Sequence, residues 1–265
     1  MTHNSTIHLA AIAASLWVSH AHAEQSWLAK QHPAEVTMIA EHDAFLPGGT
    51  TLVGFRFVMQ DGWHIYWDGL NDTGFAPQWE LELPEGWEVG ETLWPAPHRY
   101  ISPGGILDHV YEEEVVLMVP VRVPPDASGD ATIRAELEWL VCKEACIAGS
   151  GSASITLPVG NDPRPSDEHN FFETAESRLP IELPERAHQI ELQGDRLVVS
   201  APNAIAIAFY PERDSAEPRD VLRGCIAQGD ALSVELKPGD EPCRGIIEIT
   251  NKDETATIIA IDVTR

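Results

Sequence analysis

Short runs of alternating hydrophobic and polar residues recur along residues 24–160. In Ala131–Val141 the odd-numbered positions are apolar, whereas Arg134, Glu136 and Glu138 take even-numbered ones. This period of two is typical of a β-strand with one side facing solvent. Repeated strands at roughly 8–12-residue spacing predict an antiparallel β-sandwich. The candidate strands are Glu35–Ile39, Thr50–Met59, Trp63–Trp67, Trp79–Leu83, Val115–Val123, Ala131–Val141 and Ser152–Val159.

A proline-rich stretch, residues 161–184, interrupts the β pattern and predicts a linker with one short helix around Asn170–Ser177. The pattern then resumes in residues 185–265, which predicts a second small β-sandwich and an all-β chain overall. The candidate strands of this second unit are His188–Leu192, Arg196–Ser200, Ala204–Tyr210, Asp220–Ala227, Ala231–Leu236, Gly245–Thr250 and Thr257–Val263.

The N-terminal segment predicts export. Residues 7–19 form an apolar run that is too short for a membrane span, which needs about 20 residues. Ala21 and Ala23 match the small residues read by a signal peptidase, so we expect residues 1–23 to be a signal peptide. A buried N-terminal helix is the alternative. No later segment is apolar enough to predict membrane insertion, and export would allow the four cysteines to form disulfides.

Charge excludes some partners. The chain has 42 Asp and Glu against 17 Lys and Arg, a formal net charge of −25. Nucleic-acid binding requires a clustered positive surface, so no nucleic-acid partner is expected. An anionic membrane surface is disfavoured for the same reason. The 43% of hydrophobic residues is sufficient for a packed core and argues against disorder.

Cys142 and Cys146 carry the clearest candidate chemistry. In one extended strand their Cα atoms would lie about 13 Å apart, beyond disulfide range. If residues 143–145 form a hairpin loop, the two cysteines face each other at about 4.5–5.5 Å and a disulfide is possible. A bridge that closes so short a loop contributes little to stability and is readily reduced if strained. A redox switch, a passive bridge and two buried thiols all remain compatible with this spacing.

Five separated motifs resemble a known family. The chain is similar, over about residues 30–160, to the N-terminal periplasmic domain of the DsbD/ScsB thiol:disulfide interchange proteins. The CxxxC spacing matches the ScsB-like branch. The motifs are Trp63–Trp67, Asp72–Gly74, Trp94–Pro97, Tyr111–Glu112 and Trp139–Cys146.

The resemblance implies an immunoglobulin-like fold and protein thiol–disulfide oxidoreductase activity through Cys142 and Cys146. It implies that Cys146 forms the mixed disulfide with a partner and that Cys142 resolves it. The expected partners are periplasmic thioredoxin-fold proteins and a membrane electron donor, with no metal or organic cofactor. The resemblance also suggests a capping loop within residues 98–109, with Tyr100 as an aromatic lid and Gly104 and Gly105 supplying flexibility.

Cys225 and Cys243 form a second candidate pair. A disulfide between them would stabilise the second unit by about 3 kcal/mol in the chain-entropy model. On alternate strands of a simple meander they would lie too far apart, so bonding requires strand ends or facing sheets. A structural disulfide is the favoured interpretation, with two thiols or a second redox pair as alternatives.

Two other functions remain open. One is a non-catalytic immunoglobulin-like binding or assembly module with structural disulfides. The other is a periplasmic metal-handling protein, although His42, His64, His98 and His109 have none of the short spacings typical of metal motifs. Hydrolase chemistry has no support, because no nucleophile motif is present.

Overall fold

The computed structural model describes residues 32–182 and 189–264, so the predicted signal peptide and residues 183–188 lie outside the described residues. Within these ranges, nearly all regular structure is β-strand, which confirms the all-β prediction. No helix among the described residues is long and apolar enough to span a membrane.

Two antiparallel sheets form the first sandwich. One sheet has the strand order β1-β2-β8-β5, and the other has the order β10-β9-β3-β7-β6, with β4 also pairing with β9. Phe55, Leu117 and Ile133 are among the buried side chains that the two sheets place between them. The strands are β1 (Ala34–Ala40), β2 (Thr50–Met59), β3 (His64–Tyr66), β4 (Gln78–Glu82), β5 (Glu88–Val89), β6 (His98–Ser102), β7 (Ile106–Glu112), β8 (Glu114–Arg122), β9 (Asp130–Cys142) and β10 (Cys146–Pro158).

Two further sheets surround a second core that includes Leu197, Phe209 and Ile247. Their strand orders are β11-β18-β17-β14-β15 and β12-β13-β16, and only β11 and β18 pair in parallel. The strands are β11 (Ile181–Glu182), β12 (Gln189–Leu192), β13 (Arg196–Ser200), β14 (Ala204–Pro211), β15 (Ile226–Gln228), β16 (Ala231–Glu235), β17 (Cys243–Asn251) and β18 (Ala256–Val263).

Two short helices interrupt the strands within residues 32–182 and 189–264. Helix α1 (His169–Glu176) lies in the predicted linker and buries Phe172 and Ala175 in a cluster with Val116 and Met118 of β8. Helix α2 (Val221–Gly224) is a single turn where the sequence predicted a strand over Asp220–Ala227. The side chain of Asp220 accepts a hydrogen bond from the Arg223 amide at 2.9 Å, which caps the turn and explains why the strand begins only at Ile226.

The two sandwiches are in direct contact. Tyr210 and Ile246, from the second set of sheets, are part of the first apolar core. Arg178, which follows α1, donates to the Glu248 carboxylate at 2.6 Å and to the Ala96 carbonyl at 3.1 Å. The ring of His109 on β7 lies 5.3 Å from the ring of Tyr210. Strand β7 is therefore supported from both sandwiches.

Candidate functional site

A disulfide joins Cys142 and Cys146 at the end of the β9–β10 hairpin. The two residues are directly paired in the strand register, their Cα atoms are 4.1 Å apart, and residues 143–145 form the loop, as the hairpin interpretation predicts. The Lys143 ammonium group donates to the Asp61 carbonyl at 2.9 Å. The loop is thus held against the turn that precedes β3.

The two sulfur-bearing residues differ in their access to solvent. Cys142 is only 3% exposed and packs with Tyr66 and Val110, whereas Cys146 belongs to the exposed residues of the loop and the start of β10. An incoming thiolate must reach a sulfur along the S–S axis. Cys146 is therefore the accessible side of the bond.

Strand alternation places the site on the outer face of its sheet. On β3, Ile65 is part of the main core, while its neighbours His64 and Tyr66 lie on the opposite face. His64 is paired with Cys142 on β9, and Tyr66 is paired with Val110 on β7. Because directly paired residues project from the same face, these four side chains form a small cluster of their own.

A chain of polar contacts leads from Cys146 into the protein. The Tyr66 hydroxyl lies 3.7 Å from Cys146 Sγ and 3.5 Å from Thr73 Oγ1. Thr73 Oγ1 donates to Asp108 Oδ2 at 2.6 Å, and the Thr73 amide donates to Asp108 Oδ1 at 2.9 Å. Since the Thr73 hydroxyl gives its proton to Asp108, its lone pairs are available to Tyr66. Burial raises the pKa of Tyr66, so its hydroxyl keeps its proton at neutral pH.

Two aromatic rings lie on the side of Cys142. The ring centroid of Tyr100 lies 4.4 Å from that of His64, and Tyr100 packs on the cluster that contains Cys142. His64 is 2% exposed, and its Nδ1 atom has no hydrogen-bond partner. Desolvation lowers the pKa of His64, which the Asp108 carboxylate opposes in part.

The predicted capping loop is a β-hairpin rather than an irregular loop. Tyr100 lies in the middle of β6 and is paired with Asp108 on β7, so both strands extend over residues that the sequence assigned to the loop. Gly104 and Gly105 form the turn, with φ values of 99° and 81° that L-residues with side chains rarely adopt. The flexibility expected of Gly104 and Gly105 stays a prediction.

The second sandwich holds this cap hairpin, which we define as residues 98–112. The Arg99 guanidinium donates to the Val221 carbonyl at 3.2 Å and to the Leu222 carbonyl at 2.7 Å, both in α2. A Cβ on Gly105 would lie 3.5 Å from the Leu222 side chain. The cap hairpin is thus bonded to α2 near its base, and Leu222 of α2 lies close to its tip.

Three exposed apolar side chains are close to site residues in the sequence. Phe75, Ile101 and Ile147 are all more than 40% exposed. Along the sequence, Phe75 is two residues from Thr73, Ile101 is next to Tyr100, and Ile147 is next to Cys146. Strand alternation turns Ile101 and Ile147 to the face opposite to Tyr100 and Cys146, so proximity in sequence does not by itself place them on one surface with the site.

The structure does not contain the disulfide that the sequence favoured for Cys225 and Cys243. Both cysteines are thiols and are fully buried in the second core. Cys225 directly precedes β15 and Cys243 begins β17, and β14 lies between these strands in the sheet. One strand therefore separates the two positions in the sheet, and the two sulfurs are not bonded. Burial raises the pKa of Cys225 to about 12.

The histidines of the described chain do not form a metal centre. No group of three His, Cys, Asp or Glu side chains within residues 32–182 and 189–264 is arranged to hold a metal ion. His109 is fully buried, and its Nδ1 is 2.6 Å from the Leu70 carbonyl. Burial lowers the pKa of His109 to about 4, so the ring is neutral and donates this hydrogen bond.

Together, the fold and this site define a class: a tandem β-sandwich protein with a disulfide on the rim of its first sandwich. Residues 35–158 match the family model described as thiol:disulfide interchange protein DsbD, N-terminal. This part of the chain is a DsbD/ScsB-like N-terminal domain, as the sequence motifs indicated. No curated protein sequence matches the chain.

One solved structure has the same fold. The N-terminal periplasmic domain of ScsB from Proteus mirabilis aligns with a TM-score of 0.58 at 17% identity, covering 89% of this chain and 95% of that one. The periplasmic chaperone SfaE aligns at 9% identity with a TM-score of 0.25, covering 87% of this chain and 100% of that one. The similarity to ScsB extends through both sandwiches, whereas the similarity to SfaE is too low to support any argument.

Sequence reasoning missed several residues of the site. His64 and Tyr66 lie within the motif Trp63–Trp67. Their alternation with Ile65 could have predicted that their side chains project from the face of the sheet opposite to the main core. Thr73, Asp108 and Arg99 act through partners far away in the sequence, and no local pattern identifies such contacts.

Proposed function

We propose that this protein is a periplasmic thiol–disulfide exchange module that passes reducing equivalents between protein thiols through Cys142 and Cys146. The observation that carries the proposal is the unequal exposure of the two cysteines within one short-loop disulfide. An exposed sulfur is available to a partner, and a buried sulfur under an aromatic cap is protected from unrelated thiols. Membership of residues 35–158 in the DsbD N-terminal family supports the same chemistry.

In this mechanism a partner thiolate bonds to Cys146 Sγ, the Cys142–Cys146 bond breaks, and the electron pair remains on Cys142. The partner's second thiolate then bonds to its own first sulfur and releases Cys146. The partner becomes a disulfide, and the module becomes a dithiol. We propose a thioredoxin-fold protein fed by a membrane donor as the source of these electrons, and periplasmic oxidoreductases as their destination.

The decisive experiment compares two serine variants against reduced thioredoxin as the probe. Cys146→Ser should abolish exchange, because the accessible sulfur is gone, and should change the melting temperature by only a few degrees, because the bridge closes a short loop. Cys142→Ser is first treated with dithiobis-nitrobenzoate, which leaves a nitrothiobenzoate disulfide on Cys146. The thiolate of a thioredoxin variant without its resolving cysteine should then bond to Cys146 Sγ and expel the nitrothiobenzoate anion, and mass spectrometry should detect the resulting mixed disulfide as a stable covalent adduct.

Cys225→Ser is the matched control, since it removes a cysteine outside the site and should leave exchange at the wild-type rate. A large loss of melting temperature in Cys146→Ser, combined with a wild-type disulfide that thioredoxin does not reduce, would instead support a structural bridge in a binding module.

A further inference from the structure

His64 is placed beside the buried cysteine by the strand register. It is paired with Cys142 on β9 and with Glu112 on β7, so it lies at the centre of the sheet's outer face. Directly paired residues on antiparallel strands have Cβ atoms about 4.5–5.5 Å apart. The imidazole and the Cys142 sulfur are therefore close neighbours on the same face.

The imidazole is buried without a partner for one of its nitrogens. Nδ1 makes no hydrogen bond, although the ring packs 4.4 Å from Tyr100 and 5.4 Å from Tyr66 between centroids. A buried polar atom without a hydrogen bond is destabilising. An apolar ring would fill this position without an unsatisfied atom. The presence of a histidine here therefore suggests that Nδ1 has a function.

Burial lowers the pKa of His64 in spite of the carboxylates that face it. The titratable groups around the ring are Tyr66, Tyr100, Asp108, Glu112 and Cys142, of which Asp108 is buried and Glu112 is exposed. Desolvation lowers the pKa of the imidazole, and the Asp108 carboxylate only partly offsets this. A neutral imidazole can accept a proton at pH 7 and return it.

Cys142 needs such a proton carrier. Its thiol must lose a proton before it attacks, and its thiolate must gain one after the disulfide breaks, yet the residue is only 3% exposed. The Tyr66 hydroxyl contacts the other sulfur, Cys146 Sγ, at 3.7 Å. The two sulfurs thus have different polar neighbours.

We propose that His64 takes the proton from the Cys142 thiol when the disulfide forms and returns it when the disulfide is reduced. This rests on the proposed function, in which Cys142 is the resolving cysteine. In the forming direction, Cys142 Sγ bonds to Cys146 Sγ, the bond from Cys146 to its partner sulfur breaks, and the partner leaves with the electron pair. The proton passes from Cys142 to His64 and then to solvent.

The step can be measured without any protein partner. The reduced protein is mixed with the aromatic disulfide dithiobis-nitrobenzoate, which first places a nitrothiobenzoate group on the exposed Cys146. Cys142 then closes the disulfide and expels a second nitrothiobenzoate anion, whose absorbance follows closure. The rate of this second phase is recorded between pH 5 and 9 for the wild type, His64→Gln and His64→Phe.

We expect closure at pH 7 to be about 10–100-fold slower in both variants, which is at the lower end of general-base contributions. The wild-type rate should be nearly independent of pH near neutrality and fall in acid as His64 becomes protonated. The variant rates should rise about tenfold per pH unit, because they depend on direct ionisation of the thiol. His42→Gln, which removes a histidine outside the site, should keep the wild-type profile.

A role in packing alone would give a different result. His64→Phe, which retains an aromatic ring against Tyr100, would then close at the wild-type rate with the wild-type profile, and that overturns the proposal. If both variants fold poorly, the pH profile of the wild type still tests the proposal. A wild-type closure rate that rises tenfold per pH unit with no plateau also overturns the proposal. Exchange with thioredoxin is measured separately, so failure there would remove the proposed function without deciding the role of His64.

Discussion

Two cysteine pairs in this chain have opposite environments. Cys142 and Cys146 are bonded at the rim of the first sandwich, where one of them is exposed. Cys225 and Cys243 are thiols in the core of the second sandwich, where both are fully buried. Residue type is the same in both places, so the difference in chemistry comes from position in the strand register and from access to solvent.

Register explains why only one pair is bonded. Cys142 and Cys146 are opposite each other on adjacent strands, and the three-residue loop between them brings their Cα atoms to 4.1 Å. In the second sandwich, β14 lies between the strands that carry Cys225 and Cys243. The sequence interpretation allowed a bond for Cys142 and Cys146 through a hairpin, and favoured one for Cys225 and Cys243 on the assumption that they lie at strand ends or on facing sheets. Bonding depends on whether the two strands are neighbours, which only the sheet order reveals.

The largest expected difference between the pairs is in thiol reactivity. After reduction of the protein, we expect iodoacetamide to modify Cys225 about 10³-fold more slowly than an exposed cysteine of ordinary pKa. Its pKa of about 12 leaves very little reactive thiolate at neutral pH. Mass spectrometry of the alkylated peptides over time measures each site separately, and Cys146 should react first.

Repeating the reaction in denaturant provides the control, since all four cysteines should then react at similar rates. If iodoacetamide modified Cys225 in the native protein as fast as Cys146, the proposed difference in thiol reactivity between the two pairs would be wrong.

A smaller expected difference concerns stability. Cys225→Ala removes a sulfur from a packed core and should lower the free energy of unfolding by about 1–2 kcal/mol, from lost burial and an unfilled cavity. Exchange with thioredoxin should be unaffected. Urea denaturation followed by tryptophan fluorescence measures the first effect. If Cys225→Ala slowed exchange without destabilising the protein, the second pair would have a redox role after all.

Local sequence pattern accounts for much of the fold and for part of the site. Alternation identified the strand over Ala131–Val141, and a loop of three residues was enough to predict the Cys142–Cys146 hairpin. Both inferences depend on interactions between residues close in sequence. The family resemblance, and not the pattern, suggested Tyr100 as an aromatic lid. In the structure Tyr100 packs on the cluster that contains Cys142.

Long-range contacts account for what the sequence did not reveal. The cap is a β-hairpin because β6 adds to a sheet whose other strands are distant in the chain, and its exposed residues lack a clear alternation. Asp108 is buried because Thr73 satisfies its carboxylate from 35 residues away. The helical turn α2 replaces a predicted strand because Asp220 caps it. The partners of β6 and Asp108 are not visible in a local window, whereas the Asp220 cap is a contact over three residues that the strand prediction overlooked.

The smallest expected effect tests how the two regions are connected. Arg99 binds two carbonyl groups of α2, the turn that directly precedes the buried Cys225. Arg99→Ala should weaken the attachment of the cap hairpin and let a small reductant reach the Cys142–Cys146 bond more often. Because a loss of about 1 kcal/mol corresponds to roughly fivefold in an equilibrium, we expect dithiothreitol to reduce the variant about 2–5-fold faster.

Arg196→Ala is a suitable control for this last prediction. It removes an arginine whose ion pair with Glu235 lies on the surface of the second sandwich, so reduction should occur at the wild-type rate. An unchanged rate in Arg99→Ala would mean that the first sandwich holds the cap by itself, through Tyr100 and the β6–β7 pairing. An increased rate would mean that the second sandwich, although its own cysteines are buried, helps determine access to the disulfide in the first.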